Sequence, residues 1–201
     1  EAFTKKTQVK MEVTYANAGQ IQSQINTAQE GDLFIAGPAE ELKPVEKYVS
    51  ARKDLVKHIP VLAVARGNPL GISGVRDLGR SGIRVVLGDA KATPIGKIAD
   101  KAIADAGLTG KVNVVSRGVT APSIFNALKV GECDAIIVWK ENVSPDMDIV
   151  ADPAMDAYVK TIPAAALSVS ENPEGQKLLL DFLNSDDAHS IWEKHGYVVL
   201  N

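Results

Sequence analysis

The sequence predicts an α/β fold built from mixed, mostly parallel sheets flanked by helices. Short apolar runs typical of buried strands recur along the chain, and several continue through a small-residue loop into a segment with helical spacing of apolar residues. The clearest case is the strand Ile83–Leu87, which leads through the loop Gly88–Gly96 into a helix. The apolar stripe of that helix is formed by Ile98, Ala99, Ala102 and Ile103. Recurring strand, loop and helix order favours strands that run parallel.

The first part of the chain alternates helical and extended patterns. In order, these are a helical stub over residues 1–6, a strand over Val9–Tyr15, a helix opened by Asn17-Ala-Gly19, a strand over Asp32–Ala36, a helical stretch from Ala39 to about Lys57, and a strand over Ile59–Ala65. Gly37-Pro38 ends the second strand, because both residues interrupt regular structure. This part therefore contributes both strands and helices to the predicted fold.

The same alternation continues after Leu87. Later elements are a strand over Val112–Val115, a helix carrying Ile124, Phe125 and Leu128, a strand over Asp134–Trp139, a strand around Ile162–Val169, a helix from near Pro173, and a last helix with Ile191 and Trp192 that ends at Gly196. The acidic stretch with Asp146, Asp148, Asp152 and Asp156 is interpreted as a solvated loop, because it lacks the spacing and closing Glu of a calcium loop.

Composition excludes several classes of protein. The net charge is -3 and the basic residues are spread along the chain, so the sequence has no electrostatic footprint for nucleic acid. A single cysteine, Cys133, excludes an internal disulfide and a cysteine-based zinc site. No stretch approaches the ~18 apolar residues of a membrane-spanning helix, and no signal segment opens the chain.

No catalytic constellation is recognisable in the sequence. The chain has no P-loop, no Gly-x-Gly-x-x-Gly after a strand and no Gly-x-Ser-x-Gly. His58, His189 and His195 are too scattered to form a metal cluster. Cys133 precedes an apolar strand and is interpreted as a small buried hydrophobe. We therefore predict that the protein is not an enzyme and holds neither metal nor cofactor.

Three loops share a chemistry that suits an anion. Ala16–Gly19, Ala92–Gly96 and Gly118–Pro122 each follow a predicted strand and open a helix, where unpaired N–H groups and the helix dipole attract negative charge. Thr93 and Thr120 are candidate caps or hydroxyl donors to a ligand. For any one loop the alternative is a purely structural role, although ligands of α/β sheets do favour strand ends.

Two cations border these loops. Arg117 and Lys140 are candidates for placing positive charge on an anionic ligand, with an ordinary surface cation as the alternative. Trp139 ends an apolar strand, where its indole could pack in the core or present its N–H to a cleft. The residues alone leave both questions open.

Five stretches, taken in order, carry a resemblance to a known family. They are Phe3 to Val13, Gly31 to Ala36, Gly88 to Gly96 with the helix after it, Ala127 to Trp139, and Phe182 to Tyr197. In this order and spacing, and over nearly the whole chain, they resemble the periplasmic molybdate-binding proteins. Those proteins are class II solute-binding proteins, which deliver cargo to an ABC importer. The resemblance implies a two-lobed, periplasmic-binding-protein-like fold of type II.

The resemblance also implies where the lobes and the ligand lie. Residues 1–62 and 163–201 would form lobe one and residues 63–162 lobe two, with hinge crossings near 61–63 and 161–164. By alignment, the oxyanion would be held in the cleft by backbone N–H groups and hydroxyls, without a salt bridge. The implied ligand-binding residues are Asn17, Ala18, Gly19, Thr93, Ile95, Thr120, Ala121 and Trp139.

Two of these positions depart from the family pattern. The family commonly has a serine at Ala18 and a tyrosine at Trp139. An indole N–H and the backbone N–H groups still suit an anion. The resemblance further implies that the family's first strand, with its serine-bearing loop, would precede Glu1.

The function implied is capture of a small tetrahedral oxyanion, molybdate or tungstate, by a monomer outside the cytoplasm. Its partner would be the membrane permease of an ABC importer. The alternatives are a receptor for another small anionic solute and the ligand-sensing effector domain of a transcriptional regulator. An enzyme on the same scaffold is disfavoured, because the sequence offers no acid, base or nucleophile cluster.

Overall fold

A computed structural model describes residues 1–200, which divide into two compact units. Unit 1 comprises Glu1–His58 and the chain from Lys160 onward, and unit 2 comprises Ile59–Val159. The chain therefore passes between the units at residues 58/59 and 159/160. These borders lie a few residues before the predicted hinge crossings near 61–63 and 161–164, whose action as a hinge stays a prediction.

Unit 1 is built on a four-stranded sheet with the order β1-β8-β2-β9. Its strands are β1 (Leu33–Ile35), β2 (Val49–His58), β8 (Lys160–Leu167) and β9 (Val198–Val199). Its α-helices are α1 (Ala2–Thr7), α2 (Ala18–Ala28), α5 (Pro173–Leu183) and α6 (Asp186–Lys194), and Ala39–Tyr48 is a 3₁₀ helix. Apolar side chains bury β8 on both faces: Ala165 and Leu167 pack with α2, whereas Ile162 and Ala164 pack on the α5 side.

Unit 2 is built on a five-stranded sheet with the order β5-β4-β6-β3-β7. Its strands are β3 (Pro60–Ala65), β4 (Arg84–Gly88), β5 (Asn113–Gly118), β6 (Ala135–Trp139) and β7 (Met147–Val150). Its α-helices are α3 (Pro94–Asp105) and α4 (Ala121–Lys129), and 3₁₀ helices cover Val75–Gly79, Lys140–Asn142 and Pro153–Tyr158. Leu62, Val85 and Ile136 on the central strands are fully buried against Ala99 of α3 and Ile124 of α4.

The α/β class is confirmed, but the expectation of mostly parallel strands is wrong. Only β4 with β5 and β4 with β6 pair in parallel, whereas every other pairing in the described residues is antiparallel. The interior strand β3 lies antiparallel to both β6 and β7, because it enters its sheet directly from unit 1 rather than through a helix of unit 2. The strand, loop and helix repeat therefore predicts parallel pairing only for β4, β5 and β6.

Three sequence predictions fail locally. Val9–Tyr15 is not a strand but irregular chain, and Met11, Val13 and Tyr15 are exposed; alternation alone does not form a strand when no described strand pairs with it. The helix predicted for Ala39–Lys57 ends at Tyr48, because Val49 begins the long strand β2. The acidic stretch predicted as a loop contains β7, which pairs with β3.

Candidate functional site

The candidate site of unit 2 lies at the carboxyl edge of three parallel strands. Gly88 ends β4 and is level with Gly118, which ends β5. On the other side of β4, Val86 is level with Ile136, so β6 ends at the same edge with Trp139. Adjacent strands are about 4.8 Å apart. The topology thus brings together the loops that carry Thr93, Ile95, Thr120, Ala121 and Trp139.

The start of α3 leaves one backbone donor without a partner. Thr93 is the N-cap, and its hydroxyl accepts from the Gly96 N–H (3.1 Å) while donating to the Asp89 carbonyl (2.7 Å). Pro94 follows at the first helical position and has no N–H. Among residues 1–200 the Ile95 N–H then has no hydrogen-bond partner. The prediction that Thr93 is a cap is confirmed. Its hydroxyl proton is already donated to the Asp89 carbonyl.

The start of α4 has the same arrangement. Thr120 is the N-cap and forms a capping box with Ser123: the Thr120 hydroxyl accepts from the Ser123 N–H (3.3 Å), and the Ser123 hydroxyl accepts from the Thr120 N–H (3.3 Å). Pro122 supplies no N–H. Within the described chain, this leaves the Ala121 N–H as an unpaired donor of the first turn.

Glycines hold both helix starts close against the strand ends. A Cβ at Gly96 would lie 2.5 Å from the carbonyl carbon and oxygen of Asp89, and one at Gly118 would lie 2.4 Å from the Ser123 hydroxyl oxygen. Neither distance is compatible with a side chain, because real Cβ contacts start above 3 Å. Gly96 therefore allows the first turn of α3 to lie directly against the end of β4.

Unit 1 carries the third predicted loop at the start of α2. Asn17 is the N-cap: its side-chain oxygen accepts from the Gln20 N–H (3.0 Å), and the Gln20 side chain accepts from the Asn17 N–H (3.3 Å). No described residue accepts a hydrogen bond from the N–H groups of Ala18 and Gly19. Ala18 is partly exposed and Gly19 exposed, so solvent reaches this helix start.

The three flanking side chains differ in their surroundings. Trp139 is 9% exposed and belongs to the hydrophobic core of unit 2. Lys140 is partly exposed, and its backbone N–H donates to the Ile59 carbonyl (2.8 Å). Arg117 donates through Nη1 to the Gly88 carbonyl (2.9 Å) and through Nη2 to Asp100 (2.6 Å). Arg117 is therefore tied into the fold instead of being a free surface cation.

Sequence reasoning missed two carboxylates beside this edge. Asp89 directly follows β4 and accepts from the N–H groups of Ala92 (2.9 Å) and Lys91 (2.8 Å). These two backbone hydrogen bonds hold the pKa of Asp89 below its ordinary value. An Asp that bonds the backbone two and three residues later is a recognised turn pattern, so Gly88-Asp89 was a usable signal. Asp100, the partner of Arg117, gave no comparable signal because the contact is long-range.

Other groups on the described chain offer no competing chemistry. Residues 1–200 contain no cluster of three or more His, Cys, Asp or Glu side chains arranged for a metal ion. Cys133 is 3% exposed, and burial raises the pKa of its thiol to about 11, which suits a structural cysteine. Two cavities of about 250 and 150 Å³ lie at the carboxyl end of α3 and near the start of β6. No helix in the described part of the chain is long and apolar enough to cross a membrane.

The α/β fold is that of a class of receptor, the type II solute-binding proteins. The chain belongs to the bacterial extracellular solute-binding protein family, whose model matches residues 1–198. Members of this family are not enzymes, and they bind a small solute for an ABC transporter. Family membership confirms the predicted class and favours a solute receptor over a transcriptional regulator.

The match with each of the following similar proteins covers most of that protein's length. A Haemophilus influenzae protein described as a binding protein is 28% identical, over 98% of this chain and 82% of the relative. A solved substrate-binding domain, attributed to a molybdenum ABC transporter of Clostridium difficile, is 25% identical with a TM-score of 0.82, covering 100% of this chain and 91% of that one. PEB3 of Campylobacter jejuni, solved with L-phospholactate, is 18% identical with a TM-score of 0.71, covering 98% and 91%.

The ligands named for this fold are diverse. Solved structures at 12%, 15% and 16% identity carry the names of molybdate-, ferric- and sulfate-binding proteins. At that distance the likeness concerns the fold alone. Ligand identity in this chain must therefore be argued from its own residues.

Proposed function

We propose that this protein captures a small tetrahedral oxyanion, with molybdate or tungstate favoured, and delivers it to the permease of an ABC importer. One observation carries the proposal: two capped helix starts at one sheet edge each retain a single unpaired N–H, at Ile95 and at Ala121. Backbone N–H groups at helix starts bind anions through hydrogen bonds and the helix dipole. The cap hydroxyls and the prolines have removed the other donors of both first turns.

The donor set suits an oxyanion more than a hydrated cation. The unpaired groups at the candidate positions are N–H donors, and the nearby carboxylate of Asp89 is occupied by two backbone N–H groups. Ala18 and Gly19 in unit 1 supply the same kind of donor. The molybdenum transporter to which the Clostridium difficile domain is attributed supports molybdate, because molybdenum in water at neutral pH is a tetrahedral dianion.

A second candidate is a small organic phosphate. L-phospholactate in PEB3 presents a tetrahedral phosphoryl group, which would use the same N–H donors as molybdate. L-phospholactate is larger than molybdate, so it needs more space beside the N–H donors. A panel of molybdate, tungstate, sulfate, phosphate and L-phospholactate distinguishes them.

The decisive variant is Ala121→Pro, which removes one donor and little else. Proline is favoured at a first helical position, and the extended backbone of Thr120 (φ -136, ψ 153) is compatible with a following proline. A hydrogen bond to a charged group contributes about 1.5–3 kcal/mol, so molybdate affinity should fall roughly 10- to 150-fold. The matched control Ala121→Ser, at a partly exposed position, keeps the N–H and should retain affinity within about threefold, which corresponds to ~0.5 kcal/mol.

Isothermal titration calorimetry provides the measurement. The proposal fails for this edge if the wild-type protein binds an oxyanion and Ala121→Pro binds it equally well. If no anion in the panel binds the wild-type protein, the oxyanion function itself is wrong. Circular dichroism of both variants shows that a loss of affinity is not a loss of fold.

A further inference from the structure

Arg117 occupies a central place at the candidate anion edge. It lies one residue before the end of β5, and its guanidinium joins the Gly88 carbonyl at the end of β4 to Asp100 on α3. One side chain thus connects the ends of β4 and β5 to α3, whose first turn carries the Ile95 N–H. Ala121, the first residue of α4, follows the end of β5 by three residues. The planar guanidinium can hold two acceptors at fixed directions, which a lysine cannot do.

The charges of Arg117 and Asp100 lie close enough to the start of α3 to interact with an anion bound there. Asp100 is five residues beyond Ile95 in α3, which corresponds to about 7.5 Å along the helix axis. That separation is comparable to the Debye length of about 8 Å at physiological salt. Asp100 lies 2.6 Å from Nη2 of Arg117, so its negative charge opposes the attraction that Arg117 exerts on an anion. Lys91 and Lys97 are exposed near the same helix start and remain unchanged in the variants below.

We propose that Arg117 is a positioning residue for the helix starts of unit 2, and that Asp100, as its counter-charge, limits the affinity of this edge for a divalent oxyanion. This inference rests on the proposed function. It separates two effects of one ion pair: the guanidinium fixes the geometry, whereas the carboxylate sets the local charge. The two substitutions that break the pair should therefore change affinity in opposite directions.

The predicted magnitude follows from Coulomb's law. A unit charge about 10 Å from a dianion in water-like surroundings changes the binding constant roughly fourfold. Asp100→Asn should therefore bind molybdate about fourfold more tightly at low salt, with the gain shrinking as salt rises. Arg117→Gln should bind more weakly by at least that factor. A merely structural pair would weaken binding in both variants, because both lose the same contact.

Arg117→Lys separates charge from geometry. It keeps the positive charge but not the forked contact, so its affinity should lie between those of Arg117→Gln and the wild type. A ligand-free measurement checks the geometry: the Asp89 N–H donates to the Gly118 carbonyl (2.8 Å) across the ends of β4 and β5. Hydrogen exchange at Asp89 should accelerate in Arg117→Gln and Arg117→Lys but not in Asp100→Asn, which keeps the bond to Gly88.

Calorimetry at two salt concentrations and amide exchange by NMR complete the test. Weaker binding by Asp100→Asn overturns the counter-charge role, and unchanged Asp89 exchange in both Arg117 variants overturns the positioning role. If the wild-type protein binds no oxyanion, the proposed function and the counter-charge role both fail. The exchange data still decide whether Arg117 positions this edge.

Discussion

Replacing Gly96 with alanine tests whether the start of α3 lies directly on the end of β4. The added Cβ would be 2.5 Å from the carbonyl carbon and oxygen of Asp89 and 2.6 Å from the Gly88 carbonyl oxygen. Backbone atoms cannot rotate away as a side chain can, so the first turn of α3 must move. Overpacking of this kind costs about 1–3 kcal/mol.

Gly19→Ala is the matched control, because Gly19 also lies in the first turn of a helix. Its Cβ would meet only the Asn17 side-chain oxygen at 3.5 Å, an ordinary contact. Alanine at a compatible glycine position stabilises by about 0.4–1 kcal/mol, since it restricts the unfolded chain. The two substitutions are chemically identical and should have opposite effects on stability.

Thermal unfolding followed by circular dichroism measures the difference. For a chain of this size, 1 kcal/mol corresponds to about 2–4 °C, so Gly96→Ala should lower the melting temperature by roughly 2–12 °C. Gly19→Ala should raise it by up to about 4 °C by the same conversion. Equal melting temperatures for Gly96→Ala and the wild type would refute the close packing of α3 on β4.

Two further predictions concern Cys133 and Trp139. Burial raises the pKa of Cys133 to about 11 from an ordinary 9.0. The thiol should therefore react with Ellman's reagent at pH 8 only after unfolding, and fast labelling of the folded protein would contradict this. Because the unfolded thiol loses its proton first, the free energy of unfolding should decline as pH rises from 9.0 to about 11. Molybdate should change the tryptophan fluorescence of the wild type but not of Trp139→Phe, because Trp139 ends β6 at the candidate edge. If Trp139→Phe shows the same fluorescence change as the wild type, the signal comes from Trp192.

The sequence allowed the local structure of the site to be predicted because helix starts have local signals. Thr93 followed by Pro94, and Thr120 followed two residues later by Pro122, specify a cap and an early-helix proline within a few residues. The apolar runs of β3, β4 and β6 likewise predict buried strands. These features depend on neighbours in the chain, so periodicity and turn chemistry are sufficient.

The failures concern interactions between distant segments. The charged strand β2 resembles a helix in composition, and its pairing with β8 and β9 makes it a strand. Strand β7 is short and lies within an acidic stretch, and it forms because β3 offers it a free edge. The contact of Arg117 with Asp100 spans 17 residues and has no periodic signature. Alternation over Val9–Tyr15 predicted a strand although no described strand pairs with it.

The most direct test of the central claim is an NMR titration of backbone amides with molybdate. The largest shifts should occur at the N–H groups of Ile95 and Ala121, because these donors lack partners in the described chain. Sulfate should give the same pattern if it binds. Saturable binding with unshifted Ile95 and Ala121 amides would contradict the proposed anion site, since the anion would then be held by other groups.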